Sequence, residues 1–530
     1  MLRATFAGFS VARGAMSASM KALDVTGQNI SNVYTEGYTR QRLDQTSFAP
    51  GYGNYASTNY VAQIGHGVLV TGVSQIRDPY LDIQYRDQMA DVGMYDAKAS
   101  VLEQIEGVFD ETMKSAVKDA FSDLESKLLD LANSTGSELD DSIVRSSMQS
   151  LVNLFHSNAT SLASKREQVT DDLETKMIPE LNRLMKNIAE LNKTIKSSDI
   201  LGYPALELRD QRNQLLDDLA TYLPIEVKYE DEKISSTEKV ENVIVSLVMK
   251  DGTRTELIDH DKYGEFTAET TNKFTAVTLD LSNLDPNNTT PVDITKLNGN
   301  NKEISINGGT LTGTLNMLNS AGVFDGDATT EKGFGYYEQS FDLLVDKFAK
   351  TLNALNEPAK DNNGNPVGDG GALFVTDPAG AASFTAANIK VNEEWIKGNV
   401  KLKAKIDPDS GTTQNDNINK MIAALNDKQK FENPNKAGEV LFEGTFYNYY
   451  VDIESTLGID QQATDNLLKN HITVATTIAQ SKDQVSGVSL DEEGVNLMQY
   501  QQSYTASARL MTTLDEALDK LINGTGVVGR

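Results

Sequence analysis

The sequence predicts an α+β multidomain protein: terminal helices forming a coiled-coil base, an α-helical bundle core domain, and β-rich or mixed inserted outer domains. Three observations lead there. Apolar residues recur at heptad spacing at both chain ends, long Leu-, Ala-, Lys- and Glu-rich stretches of helical periodicity lie next inward, and the middle switches to short β-prone runs between Gly, Asn, Asp and Pro clusters. At 530 residues the chain exceeds one hydrophobic core. A domain size of about 100–200 residues implies about three or four domains.

The first segment places Leu2, Phe6, Phe9, Arg13, Met16, Met20, Leu23, Gly27 and Ile30 at alternating steps of four and three. That is a heptad seam. Arg13 can snorkel out of it, whereas Gly27 costs about 1 kcal/mol in a helix relative to Ala. The helix is expected to end near Asn32, before a Gly-containing turn over Tyr34–Tyr38. The last segment repeats the pattern through Leu490, Gly494, Leu497, Gln501, Tyr504, Ala508, Met511, Asp515, Leu518 and Ile522, widened by Tyr500, Leu514 and Leu521. Ser489 and Glu492 have capping-box spacing and predict a start at Leu490, with Gly524 and Gly526 as the stop.

Helical spacing continues over Ala99–Asn133, Ser142–Ser198 and Ala205–Leu223, with Pro179 expected to kink or break the middle stretch. Beyond Pro224, Ile225–Val227, Val243–Val248, Phe274–Leu281 and Glu303–Ile306 read as strands. Helix returns at Tyr337–Leu355, a loop follows over Asp361–Gly371, a mixed segment holds the lone Trp395, and helix resumes from about Gln461. The resulting division is a terminal-helix region at 1–80 plus 470–530 and an α-helical core at 81–224 plus 307–357 plus 434–469. A β-rich insertion occupies 225–306, and a mixed insertion 358–433. Nesting of this kind pairs the two chain ends with each other. A pair with Arg13, Gly27, Gly494, Gln501 and Asp515 along its seams is marginal alone, so the ends are expected to order when neighbouring subunits cover them.

The 48 basic and 76 acidic residues leave a net charge of −28, which disfavours nucleic acid and anionic membrane surfaces as partners. Without cysteine, disulfides, thiolate metal sites and cysteine nucleophiles are excluded. Met1–Ser31 lacks the pattern of a cleaved secretory signal, and no 18-residue apolar run occurs, so export is expected to leave this end intact and no membrane insertion is expected. His66, His156, His260 and His471 are scattered, without a helical HxxxH pair. Asp259, His260 and Asp261 sit beside a predicted turn and read as a solvated loop. Asp361, Asn363 and Asn365 mimic the opening of a calcium loop, but Pro366 stands where the Gly belongs and Ala372 where the bidentate Glu belongs. Gly65 and Gly67 flank His66 without a following helix start. Neither a catalytic constellation nor a cofactor or metal motif emerges, so the expectation is a non-enzyme. The competing expectation is a secreted peptidoglycan-processing or glycan-binding protein.

Ala22-Leu23-Asp24-Val25-Thr26-Gly27-Gln28-Asn29-Ile30-Ser31-Asn32, then Thr35-Glu36-Gly37-Tyr38-Thr39-Arg40-Gln41, resembles the N-terminal signature of flagellar rod, hook and hook-associated proteins. Asn29, Asn32, Gly37, Tyr38, Arg40 and Gln41 carry it. Ser486–Glu493 and Gln499–Arg509 are similar to the C-terminal signature, with Gly494 where a bulkier residue is expected. In the interior, Arg77-Asp78-Pro79-Tyr80-Leu81, Leu102–Phe109, Ile188–Ile195, Leu208–Leu216 and Gly308-Gly309-Thr310-Leu311 look like the hook-associated protein 1 family rather than the hook protein. The resemblance implies a structural subunit of the extracellular flagellum, at the junction of hook and filament, passed through the flagellar type III export channel. It also implies as partners a ring of copies of the chain itself, the hook protein, the second hook-associated protein and an export chaperone on the C-terminal helix.

Overall fold

The computed structural model describes residues 7–47, 67–133, 138–233, 239–286, 290–298, 301–325, 331–360, 366–367, 369–406 and 415–524. Helix α1 (Ala7–Ser31) leads into an antiparallel hairpin of β1 (Gln41–Ser47) and β2 (Val68–Gln75). Helix α2 (Pro79–Glu106) begins where the Asp78 side chain accepts the Tyr80 N–H at 3.0 Å, with Pro79 in the first turn, where its missing donor costs nothing. The single helix predicted over 99–133 is divided. Gly107 ends α2, and Asp110 starts α3 (Glu111–Asn133) by accepting the Met113 N–H at 2.8 Å. Helix α4 (Glu138–Asp172) passes through one π turn, Leu173–Met177, into α5 (Ile178–Ile200). Pro179 lies in the first turn of α5, so the expected interruption takes the form of one widened turn in a long rod. Helix α6 (Leu206–Tyr222) returns alongside α5.

Four antiparallel strands follow, β3 (Ile225–Lys233), β4 (Lys239–Val248), β5 (Arg254–Asp259) and β6 (Lys262–Tyr263), paired in that order. A second sheet holds β7 (Glu265–Thr271), β8 (Phe274–Asp280) and β9 (Val292–Asp293), and β10 (Thr295–Asn298) pairs with β11 (Asn301–Ile304). Helix α7 (Gly309–Asn319) has no sequence signal, because GTLTGTLNMLN is poor in helix formers. Packing imposes it. A Cβ on Gly313 would stand 2.3 Å from the Met94 carbonyl oxygen, and one on Gly93 2.0 Å from that of Thr221, so α2, α6 and α7 cross at backbone contact.

Helix α8 (Phe334–Leu355) opens the mixed region. It continues through hairpins β12 (Ala359–Lys360) with β13 (Pro366–Val367) and β14 (Phe374–Thr376) with β15 (Ile389–Val391), then α9 (Glu393–Ile396) and α10 (Asp416–Asn426). The calcium-like positions Asp361, Asn363 and Asn365 lie outside the described residues. A last hairpin, β16 (Gln429–Glu432) with β17 (Val440–Gly444), precedes the long helices α11 (Phe446–Ser486) and α12 (Leu490–Gly524).

Two apolar cores result among the described residues. The first joins the C-terminal half of α2 to α3, α4, α8, α10 and the start of α11, around Phe109, Phe121, Phe155, Phe341, Phe348 and Phe446, and takes in Phe374 and Trp395 of the mixed segment. The second fuses helix and sheet: Leu181, Leu184 and Ile188 of α5 and Leu216 and Leu219 of α6 pack on Val243, Val245, Phe266, Val277 and Leu279 of the strands. Neither core contains a residue of α1 or α12.

Helix asparagines bind the sheets to the helices. Asn182 pairs with both backbone groups of Phe266, at 2.8 and 2.9 Å, and Asn319 pairs with both of Thr275, each at 2.9 Å. Asn353 does the same for Phe374, each at 2.9 Å. Each amide presents one donor and one acceptor, as a neighbouring strand would. Asn319→Leu leaves the buried Thr275 N–H unpaired and its C=O with only the long contact from the Thr295 hydroxyl, 3.4 Å, at about 1–3 kcal/mol per group left without a good partner. Urea unfolding of this variant is therefore expected to show a loss of several kcal/mol, against less than about 0.5 kcal/mol for a substitution at an exposed site such as Lys21.

Candidate assembly interface

Helices α1 and α12 form the base as an antiparallel pair: Leu514 lies 3.0 Å from where a Gly8 Cβ would stand, while Glu493 lies near the opposite end, against Arg40. Phe9 and Met16 line an open groove with Ala508, Met511, Thr512 and Asp515, and a second groove runs between Ala15, Ala18 and Ala22 and the residues Tyr500, Ser503 and Ser507. Of the predicted N-terminal seam, Phe9, Met16, Leu23 and Ile30 are half-buried and Met20 is exposed, while Leu2 and Phe6 lie outside the described residues. Of the C-terminal seam, Tyr500, Tyr504, Ala508, Met511, Leu514 and Leu518 are half-buried and Leu490, Leu497 and Leu521 are exposed.

The most buried residues of α1 are small ones, Ala12, Ala18, Ser19, Ala22, Thr26 and Asn29, several of which line the second groove. Small residues let the β1–β2 hairpin come close, and a Cβ on Gly14 would stand 3.3 Å from the Val68 carbonyl oxygen. A search for large apolar residues misses them. The spacing Ala12, Ala15, Ser19, Ala22, Thr26, Asn29 is the signal that reveals them.

The signature residues converge where this base meets the core. Asn29, buried at the end of α1, pairs with both backbone groups of Gln41, at 2.9 and 3.0 Å, and accepts the Tyr38 hydroxyl at 2.9 Å. Gly37 turns the chain at φ 75°, in the left-handed region that favours glycine, and the Asn32 side chain donates to the Gln28 carbonyl at 3.0 Å. The Arg40 guanidinium donates to Glu493 at 2.8 Å and to Glu492 at 2.6 Å, and its backbone N–H reaches the Ser486 carbonyl at 2.8 Å. Glu492 therefore serves Arg40 instead of closing the predicted capping box, of which only the long Glu492 N–H to Ser489 hydroxyl contact, 3.5 Å, is present.

Contacts to the core are polar. The Thr39 N–H donates to Asp210 at 3.0 Å, the Gln41 amide to Glu207 at 3.2 Å, and the Gln75 amide to the Leu206 carbonyl at 3.0 Å. Lys482 near the end of α11 bridges Asp82 at 3.1 Å and Asp217 at 2.6 Å, while Arg77 binds Asp82 and Arg86 binds Asp217. A cavity of about 690 Å³ opens here between Glu36, Arg40, Asp210, Asp218, Lys482 and Asp483. Burial, followed by the nearby Glu207, Asp210 and Glu493 carboxylates, pushes the Tyr38 hydroxyl well above its ordinary range, so it stays a donor to Asn29. Burial also raises the Asp210 carboxyl, against the Thr39 hydrogen bond. Burial opposes ionisation of Asp82 as well, but the Arg77 hydrogen bond and charge, with Lys482 and Arg86, outweigh it and hold that carboxyl below its usual value.

No group of three or more His, Cys, Asp or Glu side chains among the described residues could hold a metal ion. The histidines are kept apart: His156 meets the Ile389 carbonyl at 2.7 Å, His260 pairs with Asp259, and His471 stacks on Tyr95, while His66 lies outside the described residues.

Two outcomes follow from this geometry. Arg40→Ala strands the buried Glu493 carboxylate, at a cost on the order of 3 kcal/mol, and trypsin is expected to cut within α12 at Arg509 at least tenfold faster than in wild type. Because the folded Asp82 carboxyl titrates below its unfolded value of about 4, its contribution is complete above that pH and is lost as the pH falls further. Asp82→Asn is expected to lower stability at pH 7 and to narrow the gap from wild type in unfolding curves taken at pH 3.

The profile described as the flagellar hook-associated protein FlgK helical domain matches residues 102–374. The flagella basal body rod protein profile matches residues 9–39, and that of the flagellar basal body rod FlgEFG protein C-terminal region matches 479–524. Flagellar hook-associated protein 1 of Bacillus subtilis (strain 168) is 32% identical over the full length of both chains. The proteins of that name from Salmonella typhimurium and Escherichia coli (strain K12) are 25% and 23% identical, each covering 97% of this chain and 98% of its own. The solved structure of the flagellar hook junction protein FlgK from Burkholderia pseudomallei aligns with 56% of this chain and 46% of its own, at 17% identity and a TM-score of 0.40. With its interior and both ends matched, the chain belongs to the flagellar hook-associated protein 1 family.

Proposed function

We propose that the chain is the structural subunit joining hook to filament in the bacterial flagellum, and that it acts mechanically rather than catalytically. The observation that carries this reading is the base. The pair α1–α12 stands outside both cores and leaves Met20, Leu490, Leu497, Met498, Leu521 and Ile522 exposed on a single chain. Apolar area of this extent on long helices suits burial against neighbouring subunits. Gly27 and Gly494 have nothing within 4 Å of where a Cβ would stand, so they weaken their helices without an intrachain packing reason.

On this reading the regions 1–80 and 470–530 line the inner tube, the helical core at 81–224, 307–357 and 434–469 forms the next shell, and the insertions at 225–306 and 358–433 face outward. Copies of the chain form a ring between the hook protein and the second hook-associated protein. Export runs through the flagellar type III channel with the N-terminus uncleaved, and a chaperone grips α12 beforehand. The low burial of nearly all of α12 supports that last step, since only Glu493 of the helix is buried.

Deletion of the gene in the source bacterium is expected to give cells that build hooks but shed unassembled flagellin, and normal filaments would refute the assignment. In the purified monomer both ends should be digested rapidly by protease. Full protection of both ends in a proven monomer sinks the idea that neighbours are needed to order them.

A further inference from the structure

The cavity where base meets core carries more negative charge than its own cations neutralise. Glu36, Asp210, Asp217, Asp218, Asp483 and Glu492 line it, against Arg40, Arg77 and Lys482. Each of these cations is already engaged: Arg40 with Glu492 and Glu493, Arg77 with Asp82, and Lys482 with Asp82 and Asp217. Glu36, Asp210, Asp218 and Asp483 are left without an ion pair among the described residues. Burial, then repulsion from Asp217 and Glu36, raises the Asp218 carboxyl, and burial followed by Asp217, Asp218, Asp483 and Glu36 raises the Tyr85 hydroxyl. Both shifts have the sign of an uncompensated negative field.

Exposed carboxylates such as Glu36, Asp218 and Asp483 are by themselves ordinary solvated surface. Two further observations set this cavity apart. Asp210 on its wall is only 6% exposed; one carboxylate oxygen accepts the Thr39 N–H at 3.0 Å, and the other, Oδ1, is buried without a hydrogen-bond partner. A buried acceptor left in that state costs free energy that a bound donor recovers. On the same wall the Tyr34 side chain stands 92% exposed, on a turn closed by the Thr35 N–H on the Asn32 carbonyl at 2.9 Å. The chain's own Lys482 shows what such a wall accepts: its ammonium sits 4.8 Å from the centre of the Tyr85 ring while binding two carboxylates.

We propose that this cavity is a binding site for an arginine-bearing segment of another protein, whose guanidinium enters among Asp210, Asp218 and Asp483 and stacks on Tyr34. A metal ion does not suit it. No group of three or more His, Cys, Asp or Glu side chains among the described residues could hold one, and a volume of about 690 Å³ falls within the roughly 300–1,000 Å³ of pockets that take whole organic groups. Several separated acceptors beside an open aromatic face match the five donors and flat surface of a guanidinium better than the compact charge of an ammonium. A net charge of −28 disfavours a second copy of the chain as the source and favours a basic partner. The site is independent of how copies of the chain assemble.

The test titrates a tripeptide of arginine, blocked at both ends, into the purified full-length chain by calorimetry at low ionic strength. Saturable binding at one site is expected. It should weaken about tenfold in the double variant Asp218→Asn, Asp483→Asn and about threefold in Tyr34→Ala, with both variants melting at the wild-type temperature. The double variant Asp119→Asn, Asp130→Asn removes the same charge from exposed positions on α3 and should bind the peptide as wild type does. Equal weakening in that control, equally tight binding of spermidine, or no saturable binding overturns the site. Self-association of the wild-type chain at low salt that the peptide reverses would assign the cavity to a second copy and overturn the choice of another protein.

Discussion

The structure depends on pairing strand edges with side-chain amides carried by helices. Asn29 with Gln41, Asn182 with Phe266, Asn319 with Thr275 and Asn353 with Phe374 repeat one arrangement, in which a carboxamide offers donor and acceptor to both backbone groups of a single strand residue. The described sheets have two to four strands, so edges make up much of their backbone. An unpaired buried edge would cost more than such small sheets recover by packing. The amide pairing removes that cost and also fixes where each sheet sits on its helix. Arg166 adds a further fastening, with one guanidinium bound to Glu338 at 3.1 Å and to the Leu318 carbonyl at 2.7 Å.

Core and base are built on different physics. The core is held by aromatic packing and by backbone contact at Gly93 and Gly313, where no side chain fits. It has little freedom to deform. The base joins it beside a charged cavity, through the Thr39 N–H on Asp210, the Arg40 N–H on the Ser486 carbonyl, the Gln41 amide on Glu207 and the Gln75 amide on the Leu206 carbonyl. A few polar contacts at an open cavity tolerate small shifts of geometry that close apolar packing does not. A junction subunit benefits from such a division, with a stiff core and a base attached by polar contacts.

Much of the element order was legible in the sequence because it follows from periodicity. Helices α1, α6, α8 and α12 stand within a few residues of their predicted bounds, as the capping and stop signals at Ser489 and Gly524 suggest. Helix α7 was illegible for a physical reason: its Gly and Thr residues lower helix propensity, and the backbone contact that overrides propensity exists only once α2 and α6 are in place. The break at Gly107–Asp110 was missed because apolar spacing continues across it from Ile105 to Val117. At the base, large apolar spacing points to Phe9 and Met16 and passes over the small residues Ala12, Ala18, Ser19 and Ala22, which bury most completely.

The sequence alone determined the helical ends, the nested order of segments, the exclusion of thiol chemistry and the signature residues from Asn29 to Gln41 and Ser486 to Arg509. These follow from local periodicity and residue type, which need no partner. Tertiary structure alone decided what those residues touch: that Arg40 is spent on Glu492 and Glu493, that Tyr38 serves Asn29, and that sheet and helix share one core around Phe266 and Leu184. The Arg40 and core contacts join residues scores or hundreds of positions apart, a relation that propensity and spacing do not encode. The terminal helices, met first as regular heptad seams, are antiparallel neighbours whose small residues bury against α12 and the hairpin while their large apolar residues stay half-buried or exposed.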